Sequence, residues 1–251
     1  EIEVHPLNTN IIYAAVSGGL YSKGDNRGIY KSTDGGTSWN RVLFLNDSTS
    51  AIDVAIDASD VNIVYAAMWE RLRGPSFRKA AGINSGIYKS TDGGSTWNQL
   101  LNGVPSPDPI IGRISIAVSQ SNPNYVYALY KSASIPNGSD NTFYGFYKST
   151  DKGNTWAQMP SGILPSEFSG FVWYLGLLEV DPNDFYLVYC ADFDLFKSTN
   201  VVSYWKSITN SYSGSFDQQH PDQHALWINP LNQNDIIVGN DGCMFYRTVG
   251  G

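Results

Sequence analysis

Charge is scarce in this chain: Asp, Glu, Lys and Arg together make up only 16% of its 251 residues. The 16 basic side chains are outnumbered by 23 acids, leaving a net charge of −7, and they form no patch of the kind a nucleic-acid backbone needs. Nucleic acid is therefore not an expected partner. Cysteine is scarcer still. Cys190 and Cys243 are the only two, without zinc-like spacing or a partner motif, so each reads as a small core residue, with a Cys190–Cys243 disulfide as the lesser alternative. Long apolar runs are missing as well, and nothing approaches the roughly 20 residues that a bilayer-spanning helix requires. No stretch keeps a helical period. The sequence shows neither an initiator Met nor a leader pattern, so its ends read as trimmed.

Apolar residues make up 42% of the chain, enough for a sizeable core, and 16 Tyr and 7 Trp stand among abundant Gly, Ser, Thr and Asn. That mixture favours pleated strands joined by turns. One phrase is written three times: GIYKSTDGGTSW from Gly28, GIYKSTDGGSTW from Gly86 and GFYKSTDKGNTW from Gly145. Ahead of each lies a strand, a polar turn of constant length and a second strand. The first turn residue recurs at His5, Asp57, Ser119, Asp181 and Asn229, which makes five copies. Within the second copy, strands are predicted at 52–56, 63–68, 86–90 and 96–100.

Four antiparallel strands repeated about every 50 residues indicate an all-β fold, a β-propeller of four-stranded blades. Five blades are expected, at about 1–45, 50–101, 112–159, 174–209 and 223–251. The last lacks its fourth strand, which suggests part of a larger propeller of seven or more blades. In the repeated phrase, the acid of Ser32-x-Asp34-x-Gly36-x-x-Trp39 can accept hydrogen bonds from its own turn while the glycine adopts a left-handed conformation. Ser90, Asp92, Gly94 and Trp97 repeat the pattern, as do Ser149, Asp151, Gly153 and Trp156. A hairpin staple is the reading taken, over a ring of calcium or sugar sites. The fourth copy, from Ser198 to Trp205, has lost the acid and both glycines.

Function is sought in the loops of the face where first strands begin. The stretch WERLRGPSFRKAAG carries Trp69, Glu70, Arg71 and Arg73. Arginine forks suit carboxylates and aromatic rings suit sugars, although a Glu70–Arg pin is an equal reading. In HPDQHALWINP, His220, Asp222 and His224 fall on alternate residues and, if extended, point to one side. They are weak candidates for a metal site or proton transfer, against a structural polar network. Asp241 of GNDG is expected near them, and Tyr174 could stack on a sugar. Glu3, Asp53 and Glu179 lie on first strands near the central channel. Asp53, Glu179 and Asp222 are thus weak catalytic candidates for paired-carboxylate glycoside cleavage.

The phrase S-x-D-x-G-x-T-W resembles the Asp-box, or BNR, repeat of sialidases and of sortilin-type and xyloglucanase-type propellers. More narrowly, YAAMWERLRGP, LEVDPND, HPDQHALWINP and IIVGNDG resemble secreted sortilin-type BNR-repeat proteins, often grouped as glycosyl hydrolases. Cys243 departs from that pattern, which has a second glycine after NDG. The RIP motif of sialidases is absent, and the paired aspartates of xyloglucanase-type enzymes find no residue-by-residue match. The resemblance implies a secreted or cell-surface, non-catalytic propeller that binds glycan or an extracellular protein, without a cofactor, beside other domains of a longer chain. A glycoside hydrolase is the alternative.

Overall fold

The computed structural model describes residues 1–133, 142–160, 175–200, 205–211 and 220–248, and every regular element among them is a β-strand. Blade 1 comprises β1 (Ile2–Val4), β2 (Ile12–Val16), β3 (Gly28–Ser32) and β4 (Asn40–Leu43). Blade 2 takes β5 (Thr49–Ile56) and β6 (Val64–Glu70), then a small hairpin of β7 (Leu72–Arg73) and β8 (Arg78–Lys79), then β9 (Gly86–Ser90) and β10 (Asn98–Gln99). Blade 3 holds β11 (Ile111–Val118), β12 (Val126–Ser132), β13 (Thr142–Ser149) and β14 (Ala157–Gln158). Blade 4 holds β15 (Leu177–Val180), β16 (Val188–Ala191), β17 (Leu195–Ser198) and β18 (Trp205–Ser207). Blade 5 has three strands, β19 (Gln223–Ile228), β20 (Asp235–Asn240) and β21 (Met244–Thr248). All five sheets are antiparallel in simple chain order. The predicted five-bladed propeller is observed, and the 71–80 stretch read as a plain loop contains a hairpin.

The constant turn has a constant cause. In each blade the amide of the marker residue donates to a carbonyl six residues on: His5 to Ile11, Asp57 to Ile63, Ser119 to Tyr125, Asp181 to Leu187 and Asn229 to Asp235. The marker side chain then accepts amides inside the turn, as Asp57 does from Ser59 at 2.8 Å and Asp60 at 3.1 Å. Asn229 does the same for Leu231 at 3.0 Å. Short polar side chains that bond their own turn are why Asp, Asn, Ser and His occupy this position.

The thrice-written phrase closes the hairpin between third and fourth strands. Asp92 accepts from the Thr96 amide at 2.8 Å and the Thr96 hydroxyl at 2.6 Å. Ser90 Oγ receives the Gly94 amide at 2.8 Å, and Trp97 Nε1 donates to the Gly94 carbonyl at 3.1 Å. Gly94 sits at φ +85°, in the left-handed region where a side chain is strained. The bonds around Asp34 and Asp151 are equivalent. Asp34 and Asp92 are held low, at about 2, chiefly by the hydroxyl donors of Ser38 and Thr96.

Alternation along the second strands builds the core. Val64, Ala66 and Met68 pack toward blade 1, whereas Tyr65 and Ala67 pack toward blade 3. Burying a side chain such as Ile87, fully covered here, contributes about 1.5–3 kcal/mol relative to leaving it exposed. Each box tryptophan packs against the preceding blade: Trp97 joins the blade 1–2 core, Trp156 the blade 2–3 core and Trp205 the blade 3–4 core. Trp39, with no described blade before it, is 39% exposed.

Among the described residues, two apolar blade faces stay uncovered. In blade 5, Trp227, Ile237 and Tyr246 are cross-strand neighbours, 51%, 36% and 66% exposed. Ile2 and Val4 of blade 1 are exposed too.

Candidate functional site

First strands stand innermost, so their alternate residues face the axis of the ring. There they enclose a cavity of about 330 Å³ lined by residues of all five blades. Glu3, Asp53 and Glu179 reach it from blades 1, 2 and 4, with Arg113 from blade 3 and His224 from blade 5. The three acids, read from the sequence only as lying on first strands near the channel, line one cavity. Enclosure removes water from them and disfavours the charged form. Glu179 is pushed to about 8 by burial, then by the charges of Asp53, Glu1 and Glu3. Burial also raises Glu3 to about 7, helped by Glu1 and Asp53.

Asp53 reaches about 7 through burial, with the Glu1 charge adding to it, and is opposed by groups that favour its anion, the Ile116 amide foremost. Its Oδ2 accepts the Ile116 amide at 2.9 Å, and the Arg113 charge lies close. Arg113 also donates to the Gly176 carbonyl at 3.4 Å. The arrangement gathers three carboxyls whose protonated forms burial favours, of which Asp53 also accepts a backbone amide, a set on which acid–base chemistry can draw.

Behind the channel wall, Lys131 and Asp192 are both about 1% exposed. The Lys131 ammonium donates to the Leu175 carbonyl, and burial drives its pKa well below the usual lysine range. Burial raises Asp192 to about 7, opposed by the Lys131 charge. Sequence reading missed Arg113, Lys131 and Asp192. Arg113 sits at the start of a first strand and was legible by register, whereas Lys131 hides within an apolar second strand.

The histidine segment departs from expectation. β19 begins only at Gln223, and Asp222 lies at φ +69°, outside any extended strand. His220, Asp222 and His224 therefore do not project to one side. His220 Nδ1 donates to the Pro221 carbonyl at 2.9 Å, and its ring packs where a side chain at Gly242 would sit. His224 Nε2 instead meets Asp241 Oδ1 at 2.7 Å, so the structure does bring GNDG to this segment. Burial raises the Asp222 pKa, with Asp241 adding to it. Among the described residues, no group of three His, Cys, Asp or Glu side chains is arranged to hold a metal ion.

Trp69 is corrected as a ligand platform. It is only 2% exposed, with Nε1 donating to the Ala80 carbonyl at 2.7 Å. Glu70 is the pin of the hairpin, although its partner is lysine rather than arginine: Lys79 Nζ lies 2.5 Å away, and the Asn84 side chain donates at 2.9 Å. Arg71 lies over the Trp69 ring at 4.8 Å. Arg71 and Arg73 line a hollow of about 60 Å³. Tyr174 lies outside the described residues. The cysteines are free: Cys190 is buried as expected, but Cys243 is exposed, because it stands in the blade 5 hairpin and not beneath it.

With this geometry in view, known proteins can be compared. A xyloglucanase of Acetivibrio thermocellus is 25% identical over 291 residues, covering 99% of this chain. One from a Paenibacillus species is 24% identical over 242 residues, covering 84%. The chain is similar to xyloglucanases. It spans 32% of the length of the first relative and 21% of the second. Among solved structures, the GH74 xyloglucanase from Xanthomonas campestris matches with a TM-score of 0.64 at 17% identity, covering 99% of this chain and 36% of that one. An ancestral GH74 enzyme matches at 0.63 and 19% identity, covering 96% and 29%. These structural matches establish a shared propeller fold. No family model matches the chain.

Proposed function

We propose that this propeller is part of a secreted glycoside hydrolase that acts on a polysaccharide, with its chemistry at the channel face. The observation that carries the reading is the set of carboxylates from three blades in one cavity, with Glu179 near 8 and Asp53 near 7 beside Arg113. Glu179 keeps its proton at neutral pH and donates it to the leaving oxygen. Asp53, whose anion is favoured by the Ile116 amide and Arg113, serves as base or nucleophile, the division of labour glycosidic cleavage uses. Similarity to xyloglucanases supports this over the purely binding propeller expected from sequence.

The test is reducing-end release from a panel that includes xyloglucan, assayed with the wild type, Glu179→Gln and Asp53→Asn. Loss of at least about a hundred-fold in either variant, at unchanged melting, supports the assignment. An inert wild type that is still retained on immobilised glycan returns the protein to the binding reading, with the Arg71–Lys79 hairpin and the exposed His224–Asp241 pair as its contacts. The sortilin-type resemblance and cell-surface location belong to either version.

A further inference from the structure

We infer that Lys131 is a positioning residue of the channel site: it bolts down the stretch of chain through which the strand carrying Glu179 enters blade 4. β15 joins its blade only at Leu177, the first of its residues paired with β16. Leu175 and Gly176 therefore stand ahead of the ladder, and three side chains of blade 3 hold them. The Lys131 amine donates to the Leu175 carbonyl. The Ser115 hydroxyl donates to the Gly176 carbonyl at 2.8 Å, and Arg113 reaches the same oxygen at 3.4 Å.

The fit is close. Gly176 lies at φ +150°, and a side chain there would run into Lys131 Nζ, so glycine at 176 and lysine at 131 belong together. Gly176 lines the channel cavity together with Glu179. A wall held in this way keeps water from the Glu179 carboxyl, and exclusion of water is the first cause of its rise to about 8. Asp192 extends the same node to blade 5. Its carboxyl feels the Lys131 charge, and its carbonyl accepts the Gln223 amide at 3.0 Å, one residue before the cavity-lining His224. A lysine buried for stability alone would be a poor choice, because taking an amine out of water costs more than one carbonyl returns, and an apolar chain of equal length would fill the space at lower cost.

The proton on Glu179 has a catalytic use only under the hydrolase reading; the bolt does not depend on it. Arg113, Asp192, Cys190 and Asp53 act on Lys131, and Asp53, Glu1 and Glu3 act on Glu179. The test is carboxyl titration by NMR on the whole chain, with the Glu179 signal assigned by its loss in Glu179→Gln. Wild type is compared with Ser115→Ala, Lys131→Met and Lys131→Met/Asp192→Asn. Releasing the entry admits water, so Glu179 is expected to titrate lower by about one pH unit in Lys131→Met and by less in Ser115→Ala. Loss of a nearby cation would act in the opposite direction, so the sign separates positioning from charge. The double variant leaves no lone charge buried and should melt close to wild type while keeping the lowered titration. Where the chain cleaves polysaccharide, the alkaline limb of kcat/KM should move to lower pH in step with Glu179.

Glu179 titrating alike in the wild type and in the folded Lys131 variants overturns the proposal, as does a rise in place of the fall. Should Lys131→Met fail to fold, Ser115→Ala and the double variant decide the matter by the same criterion. A lowered titration in a chain that cleaves no polysaccharide supports the bolt while removing the hydrolase.

Discussion

The hydroxyl of Tyr13 in blade 1 donates to the carbonyl of Gly93 in the hairpin of blade 2 at 2.8 Å. One blade on, Tyr65 does the same to Lys152 at 2.8 Å. A lysine on the adjacent strand reinforces each contact, Lys31 to Gly93 at 2.7 Å and Lys89 to Lys152 at 2.6 Å. The second and third of the repeated hairpins are thus each gripped by the blade before them. The fourth copy has lost the phrase, and Tyr127 turns instead to the Phe185 carbonyl at 2.6 Å.

Removing a single hydroxyl should therefore have effects that differ by blade. Tyr13→Phe and Tyr65→Phe are expected to destabilise by about 1 kcal/mol each in denaturant titration. Tyr189→Phe, at the equivalent place in blade 4, should cost nothing, because its buried hydroxyl has no hydrogen-bond partner. A cost at Tyr189 equal to that at Tyr13 would refute the grip.

Stability should fall as pH rises through neutrality. Glu3 and Asp53 near 7 and Glu179 near 8 lie above their unfolded values of about 4. Between those limits the native state binds protons that the unfolded chain does not. Their contribution is present in full below about pH 4 and is lost as pH climbs through 7 and 8. Melting temperature is expected to drop from about pH 5 to about pH 8.5, and Glu179→Gln to flatten that slope. Asp34 and Asp92, held near 2, act in the opposite sense at lower pH and leave this window untouched.

Thiol chemistry should separate the two cysteines. Exposed Cys243 is expected to react promptly with a thiol reagent under native conditions, whereas Cys190, fully buried with its thiol pushed up by burial, should react only on unfolding. Slow labelling at both positions would contradict the exposed placement of the blade 5 hairpin.

The uncovered row Trp227, Ile237 and Tyr246 predicts self-association of the 251-residue chain expressed by itself. Light scattering should show oligomers that diminish in Ile237→Lys. A monodisperse wild type with the same profile as the variant would mean that the row is not adhesive.

Much of the fold was legible because its cause is local and repeated. The marker at His5, Asp57, Ser119, Asp181 and Asn229 writes the same six-residue closure five times, and the Ser-Asp-Gly-Trp spacing writes the hairpin. The channel carboxylates were legible for the same reason, since register along a first strand decides which residues face the axis. What escaped depends on distant chain segments. Trp69 looked like a sugar platform until Ala80 folded back over it, and the alternation of His220, Asp222 and His224 was cancelled by the left-handed backbone at Asp222. Lys131 gave no signal, since one lysine in VYALYKS shows nothing of the Leu175 carbonyl that receives it.

The grips of Tyr13 and Tyr65 and the six-residue turns all occupy one rim of the disc, while the arginine hairpin and the channel entrance occupy the other. Bonds between blades are not confined to the lower rim, because the connection from Glu70 to Ser85 also ties blade 2 to blades 1 and 3, through the Arg73 amide to Leu20 and the Gly82 amide to Ile111. A transplanted connection there would have to reproduce both bonds to keep the wedges together.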